Sequence, residues 1–164
     1  MRTCLVVAFM ANLGLAAASL IFLPRDVAIH FGSGGHPDSW APREFSILFP
    51  LFLEGLLFVS LLFVPALVLR APPKWINLPH KDHWLQEENR LRAARKMGRL
   101  ADELGAVLFA FLFFAGMLGL QANLSRPVRF KEEMFLAGLL AFLAHTVWWC
   151  VRVFRAFRLP EDGK

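Results

Sequence analysis

Hydrophobic positions along the chain gather into four long runs, separated by shorter polar segments. The runs cover residues 4–23, 45–69, 104–124 and 134–157. Each run is long enough for a helix of about 20 residues, which is the length that crosses a hydrocarbon layer of roughly 30 Å. None alternates strictly between apolar and polar residues, so helices are favoured over the strands of a barrel. The pattern predicts an all-α membrane protein with four transmembrane helices in a single domain, residues 1–164.

Composition agrees with this interpretation. Of the 164 residues, 57% are hydrophobic, more than a soluble domain of this size needs for its core. The first run contains Ala16, Ala17 and Ala18, small residues of the kind that precede a signal-peptide cleavage site. The apolar stretch nevertheless continues to Leu23, and the charged segment before it is only Arg2. We therefore interpret the first run as a retained signal-anchor helix.

Basic residues predict the orientation. Lys and Arg are concentrated near both termini and in the segment 70–103, whereas the segments 24–44 and 125–133 hold few. The positive-inside rule then predicts cytoplasmic termini and a cytoplasmic 70–103 loop, in a bacterial inner membrane. The net charge of +5 reflects this topology. We expect these charges to interact with the lipid bilayer and not with nucleic acid.

The predicted cytoplasmic loop has two parts. Prolines at Pro72, Pro73 and Pro79 exclude a regular helix at its start. From about Trp84 to Ala101 the residues are acidic first and basic later, which suits a helix dipole. Two interpretations stay open: a cytoplasmic interfacial helix on the membrane surface, or a solvated extension of the third span. The candidate site residues of this loop are Asn77, Pro79, His80, Asp82, His83 and Trp84.

The short predicted outer loop, residues 24–44, is dense in unusual residues. Pro24 ends the first helix, and Gly32, Gly34 and Gly35 allow a tight reversal of the chain. We predict that this loop is a recognition surface. Its candidate residues are Pro24, His30, Phe31, Gly35, His36, Pro37, Asp38 and Trp40.

A family resemblance rests on the same loop. The segments Leu23-Pro24, Val27-Ala28-Ile29-His30-Phe31 and Gly35-x-Pro37-Asp38-x-Trp40 resemble the pattern of the domain of unknown function 1648. The loop from Asn77 to Leu85, followed by Arg90, is also similar to relatives in that group, so the resemblance covers roughly residues 5–100. It implies a small multi-pass membrane protein without established catalytic residues. One branch, the SdpI-type family, implies a toxin-immunity or signalling role.

Three polar residues fall inside the predicted spans. Asn12, Glu54 and His145 lie at similar depths below the predicted outer face, to within about 3 Å. A carboxylate at mid-bilayer needs a partner or a proton, and Glu54 with His145 would make a proton-accepting pair. One interpretation is a proton or cation relay, or a polar ligand pocket. The other is polar contact between helices, which stabilises packing.

Two clusters contain residue types that bind metals. His30 and His36 with Asp26 and Asp38, or His80 and His83 with Asp82, offer nitrogen and oxygen ligands suited to zinc or copper. Neither spacing matches a standard ligand pattern, and the aspartates also suit turns and helix starts. We therefore predict no metal and no cofactor.

Small residues recur four positions apart in the spans, a spacing that allows close approach of helices. We expect these pairs to pack inside the bundle: Gly14 and Ala18, Ala115 and Gly119, Ala137 and Ala141.

No catalytic motif is present in the sequence: it has no nucleophile elbow, phosphate-binding loop or zinc-protease pattern. We therefore expect a non-enzymatic protein that acts by binding a partner, as an accessory subunit, a sensor or an immunity-type factor. That partner would be another membrane protein or a further copy of this chain. The alternative is a small proton-coupled carrier that uses Glu54 and His145.

Overall fold

The computed structural model describes residues 1–159. Residues 160–164, the end of the predicted single domain, lie outside the described residues. In chain order the elements are helix α1 (Arg2–Phe22), strands β1 (Asp26–Phe31) and β2 (Pro37–Pro42), and helices α2 (Arg43–Arg70), α3 (Lys81–Trp84), α4 (Glu87–Leu124) and α5 (Glu132–Ala156). Single 3-10 turns occupy Ser33–Gly35 and Pro73–Trp75.

Helices α1, α2, α4 and α5 are each long and apolar enough to cross a membrane. This confirms the prediction of a helical membrane protein with four spans. The helix α4 is the exception in length: its 38 residues extend for about 57 Å at 1.5 Å per residue. It contains both the amphipathic segment and the third apolar run, so that segment continues without a break into the span.

The long helix α4 is the centre of the bundle. Helices α1, α2 and α5 all pack on it, and α1 also contacts α2. At the core, the ring of Phe9 stacks on Phe58 with centroids 4.4 Å apart and meets Phe109 edge-on at 5.3 Å. Within the described part of the chain, α5 has no buried residue, so it is the peripheral helix of the four.

Two glycines on α4 allow close approach of α2. A Cβ atom at Gly98 would lie 2.7 Å from Cγ of Pro65 in α2, and one at Gly105 would lie 2.6 Å from Cδ1 of Leu61. The small-residue pairs predicted from the sequence do not include these two contact glycines. Cβ atoms at Gly14 and Gly119, which belong to the predicted pairs, would have no neighbour within 4 Å. Those two glycines do not mark helix contacts, because a spacing of four residues does not determine which face of a helix meets its neighbour.

The predicted outer loop is a β-hairpin, the one departure from an all-α fold in the described chain. Strands β1 and β2 pair antiparallel, with Val27 opposite Ala41 and Phe31 opposite Pro37. Gly34 and Gly35 take φ of 75° and 73°, which lets the chain reverse within a short turn. The strands are short and carry prolines and register shifts, so the sequence lacks the alternation that marks a strand.

Candidate functional site

The hairpin is attached to the bundle by a buried asparagine near the end of α4. The side-chain Oδ1 of Asn123 accepts the backbone N–H of Ala28 at 2.8 Å, and its Nδ2 donates to the Ala28 carbonyl at 3.1 Å. Nδ2 also donates to the carbonyl of Gly119 at 3.0 Å. The Asn123 amide thus takes the place of a neighbouring strand, because it pairs with both the N–H and the C=O of Ala28. Buried backbone polar groups need such partners.

The turn of the hairpin is held by the segment that connects α4 to α5. The backbone N–H of Phe130 donates to the Gly35 carbonyl at 2.9 Å, and Oε1 of Glu132 accepts the Gly35 N–H at 2.8 Å. Nε of Arg129 donates to the Gly34 carbonyl at 3.1 Å. A Cβ at Gly35 would lie 2.1 Å from the Phe130 oxygen. Only glycine therefore fits at this contact.

The base of the hairpin is closed by the first residue of α2. The backbone N–H of Arg43 donates to the Arg25 carbonyl at 2.8 Å, and Nη1 of Arg43 donates to the Leu23 carbonyl at 3.2 Å. The side chain also forms an ion pair with Glu44 at 2.8 Å. The hairpin is thus fixed at its base, at its turn and along β1, so it is a rigid platform.

The predicted recognition residues divide between fixing the hairpin and facing solvent. Phe31 stacks on Phe130 with centroids 5.0 Å apart, and Gly35 is buried in the turn contact. Nδ1 of His30 lies 2.6 Å from Oδ1 of Asp38 across the strands, and both side chains are exposed. Trp40 is 51% exposed. The remaining members are His36 and Pro24, which are exposed, and Pro37, which is half-buried.

Neither of the two candidate metal-binding clusters assembles in the described residues. No group of three or more His, Cys, Asp or Glu side chains stands close enough there to hold an ion. In the hairpin only His30 and Asp38 come together, while the ring of His36 lies over Gly34 with Cδ2 3.5 Å from a Cβ built there.

The predicted intramembrane residues Asn12 and Glu54 line one cavity beneath the hairpin, between α1, α2 and α4. Asn12 is buried, and its Nδ2 donates to the carbonyls of Ala8 and Phe109, each at 2.9 Å. Oε2 of Glu54 is buried and has no hydrogen-bond partner among the residues described. The cavity therefore contains an acceptor that the protein does not satisfy.

His145 does not form the pair with Glu54 that one interpretation of the sequence requires. It lines a second cavity with residues from the other end of α4 and α5, among them Lys96, Arg99 and Arg152. Its Nε2 is also buried without a hydrogen-bond partner in the described region. Similar depth along two helices does not bring two residues together, because α5 packs on a different side of α4 from the Glu54 cavity.

The predicted loop residues from Asn77 to Trp84 serve mainly to join helix ends. Trp84 is buried, and its indole N–H donates to the Phe157 carbonyl at 2.9 Å. The ring of His83 meets Trp84 edge-on at 5.2 Å, and His80 takes a left-handed conformation with φ of 51°. Asn77 and Asp82 are exposed and Pro79 is half-buried.

Charged side chains that the sequence interpretation missed hold this end of the bundle together. Arg2 donates to Asp102 at 2.9 Å, and Arg152 pairs with Glu103, so two buried carboxylates of α4 fix α1 and α5. Lys96 donates to the Ala156 carbonyl at 2.8 Å and lies over the ring of Trp84. Asp102 and Glu103 directly precede the third apolar run. This position is the only sign in the sequence that they connect helices.

Arg90 and Asn123 are also connecting residues. Nε of Arg90 donates to the Val68 carbonyl at 2.8 Å, and the same side chain donates to the Ala71 carbonyl. It thereby satisfies carbonyls at the end of α2. Sequence alone gives no sign of the Asn123 contact, because its partner is 95 residues away.

Comparison with known proteins gives one match. No curated protein and no solved structure matches the chain. Residues 7–53 match the family model described as "Domain of unknown function (DUF1648)". The match spans α1 after its first turn, the hairpin and the first part of α2, and it ends before the loop at residues 77–85. It confirms the resemblance seen in the hairpin motif and identifies this part of the four-span membrane protein as a DUF1648 domain.

Proposed function

We propose that the protein is a non-enzymatic membrane protein that recognises another membrane protein through the exposed face of its β-hairpin. The hairpin face consists of His30, Asp38 and Trp40. We further propose that this face lies outside a bacterial inner membrane, with both termini in the cytoplasm, because the basic residues are concentrated at the other end of the bundle.

The observation that carries this proposal is the contrast between the fixed and the exposed parts of the hairpin. Backbone groups of β1 and of the turn are held by Asn123, Phe130 and Glu132, yet the paired His30 and Asp38 and the ring of Trp40 stay exposed. A surface that is rigid before binding loses less conformational entropy when a partner docks. Exposed tryptophan is also the residue type that most often dominates binding energy.

The test is purification of the tagged protein from its native membrane in mild detergent, with mass spectrometry of the proteins that accompany it. We expect one stoichiometric partner with the unaltered chain. Trp40→Ala should reduce the amount of that partner at least tenfold, since the truncation removes the large exposed apolar ring of the face.

Trp75→Ala is the matched control. Trp75 is 74% exposed and lies on the loop after α2, at the other end of the bundle, so its loss should leave the partner unchanged. A partner that survives Trp40→Ala, or an unaltered chain that purifies alone, would contradict the proposal. A second copy of this chain, lost on Trp40→Ala, would make the recognition homo-oligomeric.

A small proton-coupled carrier is the second candidate, and one observation favours it: Oε2 of Glu54 is buried in a cavity without a partner. A relay between Glu54 and His145, one of the two interpretations of the sequence, needs the two side chains close together, and they line different cavities. We therefore prefer the binding protein. Proton uptake into vesicles that requires Glu54 would reverse that preference.

A further inference from the structure

The cavity beneath the hairpin, here called the Glu54 cavity, has a volume of about 480 Å³. That size lies within the range of roughly 300–1,000 Å³ that is usual for small-molecule sites. Most of its wall consists of apolar side chains of α1, α2, α4 and β1. They include Leu15, Ile47, Pro50, Leu51, Leu112 and Leu120.

Glu54 is the only ionisable side chain of this cavity in the described chain; no Lys, Arg or His lines it. Four side chains of the wall carry neutral N–H or O–H donors; Asn12, Asn123 and Ser46 already use theirs, and Ser19 is the fourth. Both N–H groups of Asn12 serve backbone carbonyls, those of Asn123 serve Ala28 and Gly119, and the Ser46 hydroxyl donates to Pro42 at 2.9 Å. A carboxylate at this depth of the bilayer is costly without a counter-charge, and Oε2 of the half-buried Glu54 has no hydrogen-bond partner in the described residues, so a cationic ligand would supply the missing charge.

We propose that the Glu54 cavity binds an amphiphile with a basic nitrogen, a primary alkylamine in the simplest case. Its ammonium group forms an ion pair and hydrogen bond with the Glu54 carboxylate. Its alkyl chain lies along the apolar walls toward the hairpin. Glu54 lies nine residues into α2 from Phe45, or about 13 Å, which gives room for an extended chain. An anionic or uncharged amphiphile would leave the carboxylate unpaired.

The experiment measures equilibrium binding of radiolabelled dodecylamine to the full chain in lipid nanodiscs, with binding to empty nanodiscs subtracted. Three variants are compared with the unaltered chain. Glu54→Gln removes the charge. Gly119→Leu keeps Glu54 but places a side chain in the cavity wall, where a Cβ would have no neighbour within 4 Å. Glu133→Gln is the matched control, because this exposed carboxylate lies at the start of α5.

We expect saturable binding to the unaltered chain and to Glu133→Gln, and an affinity at least tenfold lower for Glu54→Gln and for Gly119→Leu. Excess dodecanol should not displace the amine. Absence of saturable binding, or binding to Glu54→Gln equal to that of the unaltered chain, would overturn the proposal. Should Glu54→Gln fail to fold, Gly119→Leu decides the outcome, because unchanged binding there would place the amine outside the cavity.

Discussion

At the scale of single residues, the hairpin depends on side chains that substitute for backbone partners. Asn123 gives Ala28 both a donor and an acceptor, and Glu132 accepts the N–H of Gly35. His30, Asp38 and Trp40 are candidates from the sequence because they belong to an unusual motif. The sequence did not predict the pairing of His30 with Asp38, because this depends on a strand register that contains irregularities.

Replacing Asn123 tests this attachment. Asn123→Leu keeps a similar volume but leaves the buried N–H and C=O of Ala28 without partners, at about 1–3 kcal/mol for each group. We expect amide hydrogen exchange in β1 to become faster by at least tenfold and the melting temperature to fall. Gln121→Leu is the control, since Gln121 is exposed on the same helix. Unchanged exchange in β1 after Asn123→Leu would show that the hairpin is held by other contacts.

At the scale of elements, α4 organises the fold through its length and its glycines. The hydrophobic runs alone predicted the four spans, because about 20 consecutive apolar residues are the length that a helix needs to cross a membrane. They did not predict that the amphipathic segment and the third span form one helix. The charge pattern of that segment suits a helix on the membrane surface as well as a helix that continues into the span. The contact glycines also escaped prediction. Gly98 and Gly105 are identified only by what faces them.

The close approach at Gly105 gives a prediction for packing. Gly105→Leu places a side chain where Cδ1 of Leu61 and Cδ1 of Leu5 would lie 2.6 and 2.8 Å from its Cβ. We expect a loss of about 1–3 kcal/mol in stability, the usual cost of overpacking, measured by thermal unfolding in nanodiscs. Gly14→Leu should lose much less, because its Cβ would meet nothing within 4 Å. Equal losses for the two variants would contradict α4 as the packing centre.

At the scale of the whole molecule, the two ends of the bundle differ in chemistry. One end presents the hairpin, and at the other end contacts of Arg2, Lys96 and Arg152 fix α1 and α5 to α4. The uneven distribution of basic residues predicted this polarity from sequence. The specific ion pairs were beyond prediction, because many basic side chains at this end compete for the same buried carboxylates.

Cysteine labelling tests the predicted orientation. Cys4 and Cys150 are free and exposed, so both are first replaced by serine. In that background we expect Ser39→Cys, on β2, to react with a membrane-impermeant maleimide in intact cells. Lys81→Cys, at the start of α3, should react only after the cells are made permeable. The reverse pattern would contradict the orientation and place the hairpin in the cytoplasm.

The measurement that tests the central claim most directly is photocrosslinking from the hairpin face in living cells. A photoreactive phenylalanine analogue replaces Trp40 in one variant and Trp75 in another, and the adducts are identified by mass spectrometry. We predict one dominant protein adduct from position 40 that is absent from position 75. Adducts with lipid alone from position 40, or the same protein adducts from both positions, would contradict a recognition role for the hairpin.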